Sequence, residues 1–144
     1  MSYNNINPAV PLAAIVSVLT NDGTLQGASY LNGTNKVYSK RAPTAAVCPY
    51  LVVEAKEIFT NGVFQFTGEF RVFCYTALLA NGQISSIGDS VLFRCQELIN
   101  DQQIAITGMS TVSMTTSIVP SFFDPESDDS KARGVLRIKF DFGF

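Results

Sequence analysis

The last ten residues alternate without a fault. Leu136, Ile138, Phe140, Phe142 and Phe144 take one parity, while Val135, Arg137, Lys139, Asp141 and Gly143 take the other, the repeat of a strand with one face in a core. A second run behaves the same way: Phe64, Phe66, Phe70, Val72 and Cys74 oppose Gln65, Thr67, Glu69 and Arg71. This predicts a sheet with one apolar and one largely polar face. Gly68 interrupts the apolar side, where a helix comes close or a bulge bends the strand. Val47 to Phe59 is a further strand, with Pro49 near its beginning and Thr60-Asn61-Gly62 as the turn that follows. Gln103 to Val119 is the fourth, and the acidic stretch from Pro120 to Ser130 reads as a turn.

Two segments carry the helical period instead. Leu12, Ile15, Val16 and Leu19 form one stripe, with Pro11 suited to a first turn and Gly23 to a termination. From about Ser85 to Ile99, the residues Ile84, Ile87, Val91, Cys95, Leu98 and Ile99 make a core stripe, and Asp89, Gln96 and Glu97 lie away from it. Phe93 falls nearly opposite the stripe, so it contacts a partner or is covered by a neighbouring loop, with simple solvent exposure as the third reading. The expected architecture is a single α+β domain over residues 1–144, with a roughly four-stranded, mainly antiparallel sheet and two helices packed on one face. Long loops are expected at 27–46 and 120–132.

Composition narrows what such a domain does. With 144 residues, 47% of them hydrophobic, the chain can bury a core without metal or disulfide staples. Charged residues are only 15%, so much of the surface is Ser, Thr, Asn and Gln, or is covered by a partner. A net charge of -2 supplies no basic stripe for phosphate backbones. Cys48, Cys74 and Cys95 are an odd set without a close pair, which favours buried free thiols over a disulfide scaffold. The start of the chain has no positively charged leader, and the apolar stretch from Ala9 to Leu19 is too short to span a bilayer.

Candidate chemistry is sparse. The chain has no His, the commonest general base near neutral pH and the commonest metal ligand. No Walker loop, dinucleotide-binding glycine turn or nucleophile elbow occurs, and neither a catalytic residue nor a cofactor is expected. Asp124, Glu126, Asp128 and Asp129 concentrate carboxylates but lack the spacing of a calcium loop, leaving a solvated loop or divalent-ion binding. Lys36, Lys40 and Arg41 form the opposite charge group: a soluble loop, or one that pairs with an acidic loop on a neighbouring copy. Tyr38 and Tyr50 lie beside the basic group, and Phe122 and Phe123 precede the acidic one. Aromatics so placed either centre an interface or anchor loops to the core.

The order of these pieces carries a resemblance. A short amphipathic helix, a loop leading into Val37-Tyr38 and Pro43, and the start Cys48-Pro49-Tyr50-Leu51-Val52-Val53 come first. The strand Phe64 to Tyr75, the helix Ile84 to Ile99 and the terminal Arg133-Gly134-Val135-Leu136-Arg137-Ile138-Lys139-Phe140 follow. Over most of its length the chain resembles the small tail-completion or tail-terminator proteins of tailed bacteriophages. That resemblance implies a homo-hexameric ring at the head-proximal end of the tail tube, which stops tube polymerisation and docks onto the head connector. Its implied partners are copies of itself, the tail tube protein and the head connector or stopper protein. DNA passes through the lumen without being read, and no membrane is involved. The implied place is the virion tail or neck, after synthesis in the host cytoplasm.

The loop before Val37 and the 120–132 segment are longer than the usual pattern, which keeps a head-tail stopper or another tail adaptor as the alternative. A small-ligand-binding α+β domain is the reading from a different class. In a ring, neighbouring copies are expected to meet through sheet edges. Phe93 or Phe122 and Phe123 would lie near an apolar contact, and Lys36, Lys40 and Arg41 would face a carboxylate-rich surface such as 124–129.

Overall fold

Leu12, Ile15 and Leu19 are all buried along one side of helix α1 (Ala9–Thr20), and buried Pro11 occupies its first turn. The computed structural model describes residues 9–60, 65–101, 110–123 and 130–143. Within it, α1 is followed by β1 (Val37–Ser39), β2 (Tyr50–Thr60), β3 (Gln65–Ala77), helix α2 (Ile87–Asp101), β4 (Ser110–Phe123) and β5 (Lys131–Gly143).

The sheet has five strands in the order β1-β2-β3-β5-β4, not four. It is mixed: β1 runs parallel to β2, with Val37 opposite Leu51, and the other pairs are antiparallel. The extra strand lies inside the expected 27–46 loop. Three residues are too few to display an alternation, and β1 exists because its ladder with β2 satisfies its backbone.

Both helices bury their stripes against the same side of the sheet. Ile15 and Leu19 of α1 and Val91, Leu92, Cys95 and Ile99 of α2 pack with Leu51, Val53, Phe70, Val72, Leu136, Ile138 and Phe140. Two leucines of the 21–36 connection, Leu25 and Leu31, complete this core. A bidentate ion pair joins the helices at their rim: Arg94 Nε and Nη2 donate to Asp22 at 3.0 and 2.9 Å. Asp22 also accepts the Leu25 N–H at 3.1 Å, so one carboxylate closes the turn after α1 and ties it to α2. These bonds, the Arg94 one first, hold the Asp22 carboxyl below its ordinary value.

Several local expectations change. Helix α2 begins at Ile87 rather than near Ser85, and Ser85 Oγ accepts the Ile87 N–H at 3.2 Å. Ile84 therefore precedes the helix, and Ile84 and Ile87 are exposed rather than part of the core stripe. Pro120 does not end β4. That strand is an edge, where a missing N–H costs no ladder bond, and a register shift between Val119 and Phe122 absorbs the proline. The displaced Ser121 N–H is taken by Asp89 Oδ1 at 2.8 Å, from the first turn of α2. Strand β5 likewise reaches back to Lys131, inside the expected 120–132 loop. At Gly68 no helix fills the space of the missing side chain: an added Cβ would stand 2.7 Å from the Phe70 ring, one ladder pair from the register shift between Ala55 and Glu57.

The far side of the sheet is not simply polar either. Tyr50, Val52, Phe73 and Val135 are buried there, with Ala42, Ala46 and Cys48 of the 40–49 connection folded over them.

Candidate assembly surface

The parity of the strands decides what that far side displays. Val52 pairs with Phe73, Tyr50 with Tyr75 and Glu54 with Arg71; Tyr75 in turn faces Arg133, and Ala77 faces Lys131. Because facing residues in a ladder share a side, three strands bring their aromatic and cationic residues together although they are far apart in sequence. The 40–49 connection adds two more cations. Lys40 adopts a left-handed conformation (φ 68°) while its N–H bonds the Val53 carbonyl at 2.7 Å, and this turns the chain across the sheet.

The result is an open cavity of about 520 Å³ lined by Lys40, Arg41, Arg71, Lys131 and Arg133, with Glu54 as its one acid among the lining residues. Aromatic rings fix the geometry. Tyr50 stacks on Tyr75 at 5.1 Å and meets Tyr38 edge-on at 5.9 Å. Lys131 Nζ lies 5.3 Å above the Tyr50 ring and donates to the Tyr50 hydroxyl at 3.2 Å. The Arg133 guanidinium rests 5.3 Å from the Phe73 ring and 5.5 Å from Phe122. Burial pushes the Tyr50 phenol above its ordinary value, so the hydroxyl that Lys131 meets is neutral. Arg71 Nε is buried and has no hydrogen-bond partner among the described residues.

The anticipated residues divide. Lys40 and Arg41 are exposed on the rim of this cavity, and Tyr38 packs beneath it. Lys36 is elsewhere engaged: its Nζ donates to the Leu31 carbonyl at 2.8 Å and ties down its own loop. Phe93 is 58% exposed on the outer side of α2, across the sheet from the cavity, so no neighbouring loop covers it among the described residues. Phe122 and Phe123 are exposed at the end of β4. Asp124, Glu126, Asp128 and Asp129 lie outside the described residues.

Arg71, Lys131 and Arg133 were not anticipated. Their signal was present as parity, since Arg71 shares its side with Phe73 and Tyr75, and Lys131 with Arg133 and Val135. Only the register shows that these two strands are neighbours with their cations converging.

Little else among the described residues points to chemistry. No group of three or more His, Cys, Asp or Glu residues is placed to hold a metal ion there. None of the three cysteines is in a disulfide; burial pushes the Cys74 thiol to about 12 and Cys95 well above its ordinary value. No helix among the described residues is long and apolar enough to cross a membrane.

No family model matches the sequence, and no curated protein matches it. The fold itself has a counterpart. It is similar to a chain in the solved structure of the virion of a native gene transfer agent particle, with a TM-score of 0.70 and 14% identity. The match covers 94% of this chain and 96% of that one, so the two share an architecture almost from end to end.

Proposed function

We propose that this chain is a non-catalytic structural protein of a phage-like virion, working in the tail or the head-joining region. More specifically, it forms a homo-hexameric ring on the head-proximal end of the tail tube, stops its growth and docks it to the head connector. The observation that carries this reading is the fold shared over nearly the whole of both chains with a component of a gene transfer agent virion. The element order that resembles tail terminators supports the finer assignment.

The surface suits an assembling protein. β1 and β4 are the free edges of the sheet, and the whole of β4 carries no charged residue to discourage pairing with another strand. Exposed Phe93, Phe122 and Phe123 supply apolar contacts at two separate places. Two different patches on one copy are what a cyclic, head-to-tail interface requires.

Cryo-electron microscopy of the intact particle tests the assignment, because density for a ring of this fold between tube and connector separates a terminator from a stopper or adaptor one layer away. Native mass measurement, alone and with purified tail tubes, tests ring formation. A chain that stays monomeric even on its tube ends the ring reading.

A further inference from the structure

We infer that Arg71, on the floor of the open cavity on the outer side of the sheet, binds an oxyanion of the phosphate class together with Lys40 and Arg41 of the rim. The inference goes beyond the ring reading and does not depend on it, because one copy carries every residue involved. The register supplies the first reason. Arg71 stands directly opposite Arg137 in the β3–β5 ladder, and Arg137 in turn faces Ser117 of β4. Like charges opposed across a ladder destabilise a sheet, so this pair costs stability until an anion lies over it.

The second reason is that Arg71 is half-buried and unused. Its Nε is shut off from solvent with no hydrogen-bond partner among the described residues. Glu54 faces it from β2, yet no ion pair joins the two. A buried donor left unpaired is costly, and an arriving oxygen acceptor removes that cost. Lys131 and Arg133 are already engaged, the first with the Tyr50 ring and hydroxyl, the second with the Phe73 and Phe122 rings. The site does not need their donors, and they add only to its positive field.

The arrangement favours phosphate over other ligands. A carboxylate presents its acceptors in one plane, and a single guanidinium fork satisfies it. A tetrahedral oxyanion offers acceptors on several sides, here to Arg71 from the sheet and to Lys40 and Arg41 from the 40–49 connection. The cavity sets five of the ten Lys and Arg against one of the twelve Asp and Glu, an excess that suits a doubly charged ligand and that the net charge of -2 conceals. Bases have no platform to stack on: Tyr50 and Phe73 are buried, and Lys131 and Arg133 lie against their ring faces. The phosphate is therefore either the free ion or one of a nucleic-acid backbone, which the same donors meet.

Inorganic phosphate is the probe, titrated into the full chain at fixed ionic strength against a chloride control and read as a rise in melting temperature. A saturable rise is expected, with the half-saturating concentration about tenfold higher in Arg71→Gln and in Lys40→Gln/Arg41→Gln. If Arg71→Gln does not fold, the second variant, altered only on an exposed connection, gives the reading by itself. Duplex DNA in a gel separates the two sources. Retardation that phosphate competes away and that the variants lose assigns the site to backbone phosphates, and a phosphate response without retardation assigns it to the free ion. A response no larger than that to chloride, one that the folded variants keep, or an equal response to acetate overturns the inference. Without a phosphate response it falls whatever the chain does with DNA. None of these results bears on the ring reading, which the mass measurements on tail tubes decide.

Discussion

Asp22 is the residue on which most of the local structure converges. It accepts from Leu25 and, bidentately, from Arg94, and its carboxyl is held below its ordinary value by that pairing. A depressed carboxyl contributes stability that is fully present above its unfolded value, about pH 4, and is lost as pH falls through the lower folded value. Asp22→Asn should therefore melt below the wild type at neutral pH. The gap should close as the pH drops below about 4, which melts monitored by circular dichroism across pH 2 to 7 would show. The thiols give a second check. Cys74 and Cys95 are fully buried and held neutral, whereas Cys48 is partly exposed, so iodoacetamide should modify only Cys48 in the native protein and all three thiols after unfolding. At this scale the sequence foretold buried thiols, which holds for Cys74 and Cys95 but not for Cys48, and the Asp22–Arg94 pair joins residues seventy-two apart with no spacing to announce it.

Among elements, two glycines let α2 and the β4–β5 pair come close together. Gly88 of the helix and Gly134 of β5 both face Ser121 at the register shift, and a Cβ on Gly134 would stand 2.7 Å from Leu92 Cδ1 and 3.0 Å from Ser121 Oγ. Leu92 is fully buried and cannot swing away, so Gly134→Ala should cost about 1–3 kcal/mol by overpacking, read as a lower urea midpoint. Removing the acceptor in Asp89→Ala leaves the Ser121 N–H unpaired and should cost about 1 kcal/mol in the same titration. The long strands and both helices were legible because periodicity over ten or more residues outweighs local exceptions. β1 was not, being three residues whose only reason to be extended is the neighbour they pair with. Pro120 misled for a related reason: whether proline ends a strand depends on whether the strand is an edge, a property of the assembled sheet.

For the molecule as a whole, the sheet divides the labour. Its inner side buries two helices and holds the fold together, and its outer side carries charge and aromatic rings in a shallow cavity. Of the exposed aromatics, Phe122 at the end of β4 borders this cavity through Arg133, with Phe123 next to it in the strand, and Phe93 lies on the back of α2. If apolar burial supplies most of the ring's affinity, Phe123→Ser should weaken assembly more than replacing one rim lysine, while both variants melt near the wild type. Analytical ultracentrifugation beside the melts reads this directly. A ring that survives Phe123→Ser unchanged would move the apolar contact away from β4, with Phe93 the next side chain to replace.

What the sequence determined by itself is the periodic part: helical stripes that must be buried, strands with one parity inward, and a composition without His that offers little for catalysis. These follow from the chain's local geometry, because 3.6-residue and two-residue repeats sort side chains onto faces before any partner is known. Tertiary structure alone decided the rest. Strand order and register chose which faces adjoin, and so converted Arg71, Lys131 and Arg133, each ordinary on a solvated strand, into one cationic surface with Lys40 and Arg41. Lys36, indistinguishable from Lys40 in sequence, was drawn instead to the Leu31 carbonyl. The physical reason is that convergence of charge depends on distances across strands, which a one-dimensional pattern does not contain.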